Sequence, residues 1–363
     1  DEAPHSVLGT LAMGLLLRAL RGSGPVTVLS CDNLSGNGDL LARRLRQFLA
    51  DIPAMKGPQS STMMPLKDFL NEHVSFPNTM VDRIVPAPNP AQTARLAAEF
   101  GVQDEVPLFT EPFRQWVIED RFAGQRPPWE LAGAQFVKDV KPFEEMKLRL
   151  LNGSHSLIAY LGLLMGETFV HEAINQPPLR QVVVQLMAAA TATLRLSLNH
   201  STDHSTDHSA GDSGDHSGGH SAANLGPYQQ ALLQRLANPQ LAHRLEQIAA
   251  DGSQKIPQRW LVPALSRRQQ GSAAAPYALG IAGWIRAWEV MPERLQDPLA
   301  ARIKSLVGST INDQVKRVFS LSEVFPQSLA ADRVFLALVA EKLNLLRSQP
   351  IKQVLAAMTN TCS

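Results

Sequence analysis

Two cysteines in 363 residues, Cys31 and Cys362, lie near opposite ends of the chain and in no metal-ligand or redox spacing. That scarcity argues against a disulfide framework and points to a reducing, cytoplasmic setting. An excess of one charge is missing as well. The 34 basic and 33 acidic residues give a formal net charge of +1, so no global field exists to hold a nucleic-acid backbone or an anionic membrane surface. No apolar run is long enough to cross a bilayer. The nearest thing to a leader, Val7 to Leu20, follows Asp1 and Glu2 rather than positive charges, and Arg18 interrupts it, so it reads as an amphipathic helix. Neither nucleic acid nor membrane is therefore expected as a partner. What the chain does have is aliphatic bulk, with 44% apolar residues of which few are aromatic. That is enough for a sizeable core, and the length suits two domains. The opening Asp-Glu-Ala-Pro, in place of methionine, suggests a processed product or a fragment.

The hydrophobic period changes along the chain. A helix over Val7–Arg21, a Gly-Ser-Gly-Pro turn, a β-branched run Val26 to Ser30 and a helix from Asp39 to about Asp51 are α/β punctuation. Val81–Val85 and the run around Val106–Phe109 are further strand candidates, and Glu111–Asp120 reads as strand or helix. From about Trp129 strand signals almost vanish. Helical spacing then takes over in Phe143–Met165, Leu179–Leu198, Tyr228–Ala250, Leu279–Val290, Pro298–Val307 and Asp332–Leu346. The expected fold is α/β followed by all-α, in two domains, 1–138 and 139–363. Between Asn199 and Asn224 runs a His-Ser-Thr-Asp tract holding His200, His204, His208, His216 and His220. Having almost no apolar residues, it is expected to be a disordered insert. Imidazole suits transition metals, but nothing in the repeat fixes a ligand geometry, so a solvated repeat is the simpler reading.

Four groups of residues could carry chemistry. Ser30 to Gly38 sits where a strand ends and a helix begins, the place where open α/β sheets bind ligands. Its Gly36-Asn37-Gly38 lacks the third glycine of a dinucleotide loop, Leu41 standing there. Asp32, Asn33 and Asn37 are then either polar groups delivered to a cleft or a plain asparagine turn with a helix cap. In the apolar helical region Phe143 to His155, Lys147, Asn152 and His155 stand close together. Lysine can serve as general acid/base and asparagine can donate to an oxyanion; the alternative is a surface lysine and a satisfied helix histidine. Gln247, Lys255 and Arg259 flank a Gly-Ser turn, where they either face an anionic substrate or are solvated cations. Finally, Val81-Asp82-Arg83-Ile84 puts an acid and a base in an apolar strand candidate, and alternation sends them to opposite faces.

Taken together, these segments resemble the polyol-specific long-chain dehydrogenase/reductase family. Val74-Ser-Phe-Pro-Asn-Thr-Met-Val-Asp-Arg-Ile-Val-Pro86 looks like that family's signature, and Lys147, Asn152 and His155 match its lysine, asparagine and histidine spacing. The likeness runs from about Val26 to about Gly283 and skips the histidine tract. Glu111 to Asp120, Met146 to Ser156 and Asp251 to Arg259 look most like the members that act on hexuronates, and neutral-ketose members tend to carry arginine where Gln247 stands.

The resemblance implies the C-terminal part of a Rossmann-type NAD-binding domain, its phosphate-binding βαβ unit not included, joined to a helical substrate domain. It implies NAD as cofactor, no metal, and a monomer or weak oligomer interconverting D-fructuronate and D-mannonate. Lys147 would be the general acid/base, with Asn33 and Asn152 on the alkoxide and His155 orienting hydroxyls. Lys255, Gln247 and Arg259 would bind the sugar acid, and Asp82 and Asn37 would serve the cofactor end. Another polyol or uronate as substrate, or a sugar-acid-binding remnant without catalysis, are the alternatives.

Overall fold

The computed structural model describes residues 5–51, 60–87, 90–194, 225–272 and 274–359. The chain divides into two compact units, the first formed by residues 1–83 and 112–144 and the second by 84–111 and 145–363. The histidine tract lies outside the described residues. Among the described residues, no helix is long and apolar enough to cross a membrane.

In the first unit α1 (Val7–Leu20) starts where the Ser6 hydroxyl accepts the Gly9 N–H at 3.0 Å, the usual N-cap solution for orphan donors. It packs on α2 (Asn37–Asp51) and α3 (Ser60–Glu72). Ala12, Leu15, Leu45, Leu49 and Phe69 form part of the shared core. Strands β1 (Val26–Thr27) and β2 (Val74–Ser75) pair in parallel. A second sheet has the order β3 (Thr79–Asp82), β4 (Gln115–Glu119) and β5 (Ala134–Val137), with β3 antiparallel and β5 parallel to β4. Asn78, between β2 and β3, stitches the unit together. Its backbone N–H and side-chain amide donate to Glu119, and the amide also donates to Asp39 at 2.9 Å.

Several strand expectations change. The third strand is Thr79–Asp82 rather than Val81–Val85, because Ile84 leaves the sheet: its N–H donates to the Glu111 carboxylate at 2.6 Å and its carbonyl accepts from the Glu111 N–H. Val106–Phe109 forms no strand. Pro107 cannot donate to a ladder, and Val106 and Leu108 stay exposed. Within Glu111–Asp120 only Gln115–Glu119 forms a strand, and β5 was not foreseen because all four of its residues are half-buried and show no alternation. The alternation at the end of β3 is as expected, with Asp82 buried and Arg83 exposed.

The second unit is helical. Helix Gly153–Leu164 is almost wholly buried, apolar from Leu157 onward apart from the Tyr160 hydroxyl, with Ser154, His155 and Ser156 as buried polar groups in its first turn. Around it pack Pro177–Thr191, Leu245–Ala249 and Ala275–Val290, the last also lying on Arg333–Ser348. Proline stands in the first turn of Pro177–Thr191 and of Ala275–Val290, where its missing N–H costs nothing. Asp332 caps the helix Arg333–Ser348, accepting from Val334 and Phe335. The segment Ile84–Glu111 joins this unit through a buried ion pair, Arg235 Nη2 to Glu111 Oε1 at 2.7 Å with both side chains under a tenth exposed. Removing one partner of such a pair strands the other charge. Glu111→Ala is therefore expected to lower the unfolding free energy by about 3–5 kcal/mol, measured by urea denaturation.

Candidate functional site

Lys147 lies in a π-helical turn. Residues Lys147–Asn152 are wound so that the Gly153 N–H donates to the Leu148 carbonyl, five residues back. In an α-helix residues five apart are turned by ~140° from each other. A π turn closes between residues i and i+5 and so brings Lys147 and Asn152 to one side. The α-helix resumes at Gly153, and His155 follows three residues after Asn152. Lys147 and His155 are each 8% exposed. The Asn152 Oδ1 is buried without a hydrogen-bond partner, an acceptor left able to meet a ligand hydroxyl.

A second π turn, Pro257–Leu261, packs against the first. The Trp260 Nε1–H donates to the Gly153 carbonyl at 3.0 Å, and Arg259 donates to the Ser156 hydroxyl at 2.7 Å. Lys255 stands one turn earlier. Its Nζ donates to the Ala250 carbonyl at 2.6 Å and lies 3.9 Å from the Asp251 carboxylate. Asp251 has φ +55°, a left-handed conformation uncommon for residues other than glycine. Gly252 follows because a Cβ there would stand 2.3 Å from the Tyr160 hydroxyl, which itself donates to the Ala249 carbonyl. Gln247 is exposed on the preceding helix.

The electrostatics are those of cations held out of water. Burial, reinforced by His243, Arg259, Arg235 and Lys147, pushes the His155 imidazole well below its ordinary 6.5. Burial first, then Lys255, brings His243 down to about 4. Burial also lowers Lys255, with Arg259 adding to it, and lowers Arg259 to about 10. The second unit thus gathers Lys147, His155, Lys255 and Arg259, with Asn152 beside them. Sequence reasoning missed His243 and Arg235, which stand in no motif. Among the described residues no group of three or more His, Cys, Asp or Glu is arranged to hold a metal ion.

The first unit carries Asn33, Asn37 and Asp82. Asn33 sits on an exposed loop after β1, outside the carboxyl end of a parallel strand. The Asn37 amide is spent inside that loop: it donates to the carbonyls of Ser30, Asp32 and Thr79, and its oxygen accepts the Thr79 N–H. The Gly36 N–H goes to Glu144, and at Gly38 a Cβ would stand 2.2 Å from the Pro77 carbonyl. Gly38 thus serves close packing, while Gly36 takes a left-handed turn at φ +62° and spends its N–H on Glu144 rather than on a phosphate. What remains is the exposed Asn33 loop, outside the carboxyl end of a parallel strand where open α/β sheets bind ligands, and the Asp82 carboxylate buried on β3.

One α/β unit and one helical unit make up the chain, and comparison with known proteins gives their family. Residues 1–131 match the mannitol dehydrogenase Rossmann domain, and residues 139–207 and 219–347 match the mannitol dehydrogenase C-terminal domain. The chain belongs to the mannitol dehydrogenase family. It is 37% identical over 363 residues to D-mannonate oxidoreductase of Escherichia coli K12, covering 98% of this chain and 68% of that protein. It is 38% identical over 335 residues to the E. coli K12 oxidoreductase YeiQ, covering 90% and 62%. Among solved structures, Pseudomonas fluorescens mannitol 2-dehydrogenase in a ternary complex with NAD and D-mannitol superposes with TM-score 0.76 at 32% identity, covering 99% of this chain and 67% of that one. The chain thus spans roughly two-thirds of the length of these relatives.

The depressed imidazoles carry a sign. The unfolded chain protonates its histidines near 6.5, whereas folded His243 takes its proton only near 4. Between these values the unfolded state binds the extra proton, so stability is full above about pH 6.5 and is lost as the pH falls towards 4. His155 acts in the same direction. The urea midpoint is expected to fall between pH 7 and pH 4.5, and to fall less in His243→Phe.

Proposed function

We propose that the protein carrying this chain is an NAD-dependent oxidoreductase that interconverts D-fructuronate and D-mannonate. The observation that carries the reading is the set of three cations, Lys147, Lys255 and Arg259, gathered with His155. The nearest carboxylate to Lys255 is Asp251, at 3.9 Å. Such a set suits a small substrate that bears its own carboxylate. Likeness to D-mannonate oxidoreductase supports the choice of sugar acid, and the mannitol 2-dehydrogenase complex supports NAD.

NADH, when bound, would supply the hydride that reduces the C5 carbonyl carbon of fructuronate. The Lys147 ammonium gives its proton to the carbonyl oxygen, so that the ketone becomes an alcohol and lysine is left as the free amine. The Asn152 amide, and by the same family likeness Asn33, hydrogen-bonds the oxygen as charge develops on it. His155 orients the neighbouring hydroxyls. Lys255 pairs with the sugar-acid carboxylate, with Arg259 and Gln247 as further donors. Asp82 serves the nicotinamide end, and Asn37 contributes there by holding the loop that presents Asn33.

Lys147→Ala is expected to lower turnover about 10²- to 10⁴-fold while NADH binding, followed by calorimetry, is retained. Near-normal turnover in that variant overturns the assignment. Replacing Lys255 by methionine is expected to raise KM for fructuronate roughly 10- to 100-fold, the loss of one hydrogen bond to a charged group worth about 1.5–3 kcal/mol. KM for fructose, which has no carboxylate, is expected to change little at the same ionic strength. Equal effects on the two sugars remove the uronate reading and leave the family.

A further inference from the structure

His243 belongs to none of the sequence motifs, yet it is the ring in contact with His155. The two imidazoles meet edge to face, with centroids 5.6 Å apart and planes at 79°. A short antiparallel bridge delivers His243 to that place. The Val170 N–H donates to the His243 carbonyl and the Leu245 N–H donates to the Thr168 carbonyl, both at 3.0 Å, with Phe169 opposite Arg244. The strand so pinned leads directly into helix Val170–Ile174, which packs on Gly153–Leu164, the helix that bears His155. The backbone at His243 and just after it, on both sides of Arg244, is therefore tied to a segment that packs against the helix bearing its partner. The His243 Nδ1 is buried without a hydrogen-bond partner. With His171 the two rings line a narrow cavity whose apolar side is Ile84, Val170 and Leu241.

We propose that His243 is the positioning residue for His155: its ring edge holds the His155 imidazole in one orientation and walls it from solvent. The inference rests on the reading of His155 as the group that orients substrate hydroxyls. A hydroxyl both donates and accepts, and a neutral imidazole matches it with one donor and one acceptor, whereas the protonated ring only donates. Keeping water away disfavours the charged form. The cations facing His155 act in the same direction: Lys147 from its π turn, Arg259 from the other π turn and Arg235 from helix Gly226–Leu236. Arg235 is paired with Glu111, and Lys255 faces His243 in turn. An edge-to-face contact also resists rotation of the ring about its own axis, which a charge at a distance does not.

The test compares His243→Ala, which opens the wall, with His243→Phe, which keeps a flat ring. The titration of the His155 ring is followed by NMR in the whole 363-residue chain, its resonance being assigned by its loss in His155→Gln. In parallel, kcat and KM of the enzyme are measured against pH. In the wild type and in His243→Phe, the His155 titration is expected to stay well below 6.5. In His243→Ala it is expected to move up by at least one pH unit. KM should then rise about tenfold with kcat changed less, and the acid limb of kcat/KM should move to higher pH with the titration. His243→Leu, which fills the space without a ring edge, takes the place of the alanine variant if that one does not fold. An unchanged titration in a folded alanine or leucine variant overturns the proposal, as does a phenylalanine variant that behaves like alanine. If the titration moves while the acid limb and KM do not, the positioning role stands, and what fails is the assignment of His155 to the substrate hydroxyls.

Discussion

The indole of Trp260, fully buried, donates to the carbonyl of Gly153 across two π turns that pack on each other. Most of the helical unit's chemistry depends on that one contact. A π turn is less stable than the α-helix it interrupts, and isolated examples survive where other interactions hold them. Here the second turn braces the exit from the first, since its Trp260 and Arg259 bond Gly153 and Ser156 at the start of the helix that follows. Without the first turn Lys147 and Asn152 would diverge by more than a third of a revolution. Without the second, Arg259 would lose its anchor beside His155. The large aromatic core around Trp260, Tyr160 and Trp284 is thus the support for a geometry that local propensity alone would not produce.

Helical periodicity is a statement about average winding, and this limits what the sequence could reveal. The apolar run from Phe143 to Met165 announced a buried helix, and the structure has one. The run could not announce that the winding loosens between Lys147 and Asn152, because one extra residue in a turn leaves the hydrophobic pattern nearly intact. The lysine, asparagine and histidine were legible through family spacing, which carries the loosened turn implicitly. His243 was not legible by any route. Its partner lies 88 positions earlier in the chain (243 − 155), and what joins them is a backbone bridge between residues 168–170 and 243–245, a contact with no local signature. Glu111 belonged to a segment that resembled the family, but its bond to Arg235 across 124 positions emerges only in the fold.

The first unit shows the converse, where a motif was legible and its absence of function was too. Gly36-Asn37-Gly38 has the look of a phosphate loop until each group is followed to its partner. The Asn37 amide makes the start of α2 one piece with β3 through Thr79, and Gly38 lets that start lie against the Pro77 carbonyl. Buried polar groups must find partners, and these have found theirs within the unit. The consequence for the exposed Asn33 is favourable, because a loop whose base is so firmly tied presents its tip in a restricted set of positions.

On the function proposed above, the choice between a sugar acid and a neutral sugar comes down to Lys255. Its ammonium is bound to the Ala250 carbonyl, has the Asp251 carboxylate at 3.9 Å, and stands near Arg259. Burial is the largest influence on it and works against its charge. A carbonyl offers a dipole but no countercharge, and a carboxylate at 3.9 Å on a half-exposed side chain is a weak partner. A substrate carboxylate would replace lost water with a full opposite charge and would relieve the repulsion from Arg259 at the same time. A neutral polyol offers only another dipole, which the Ala250 carbonyl already supplies. On the reading proposed above, Lys255 therefore gains more from an anion than from a neutral polyol, whichever sugar skeleton carries the charge.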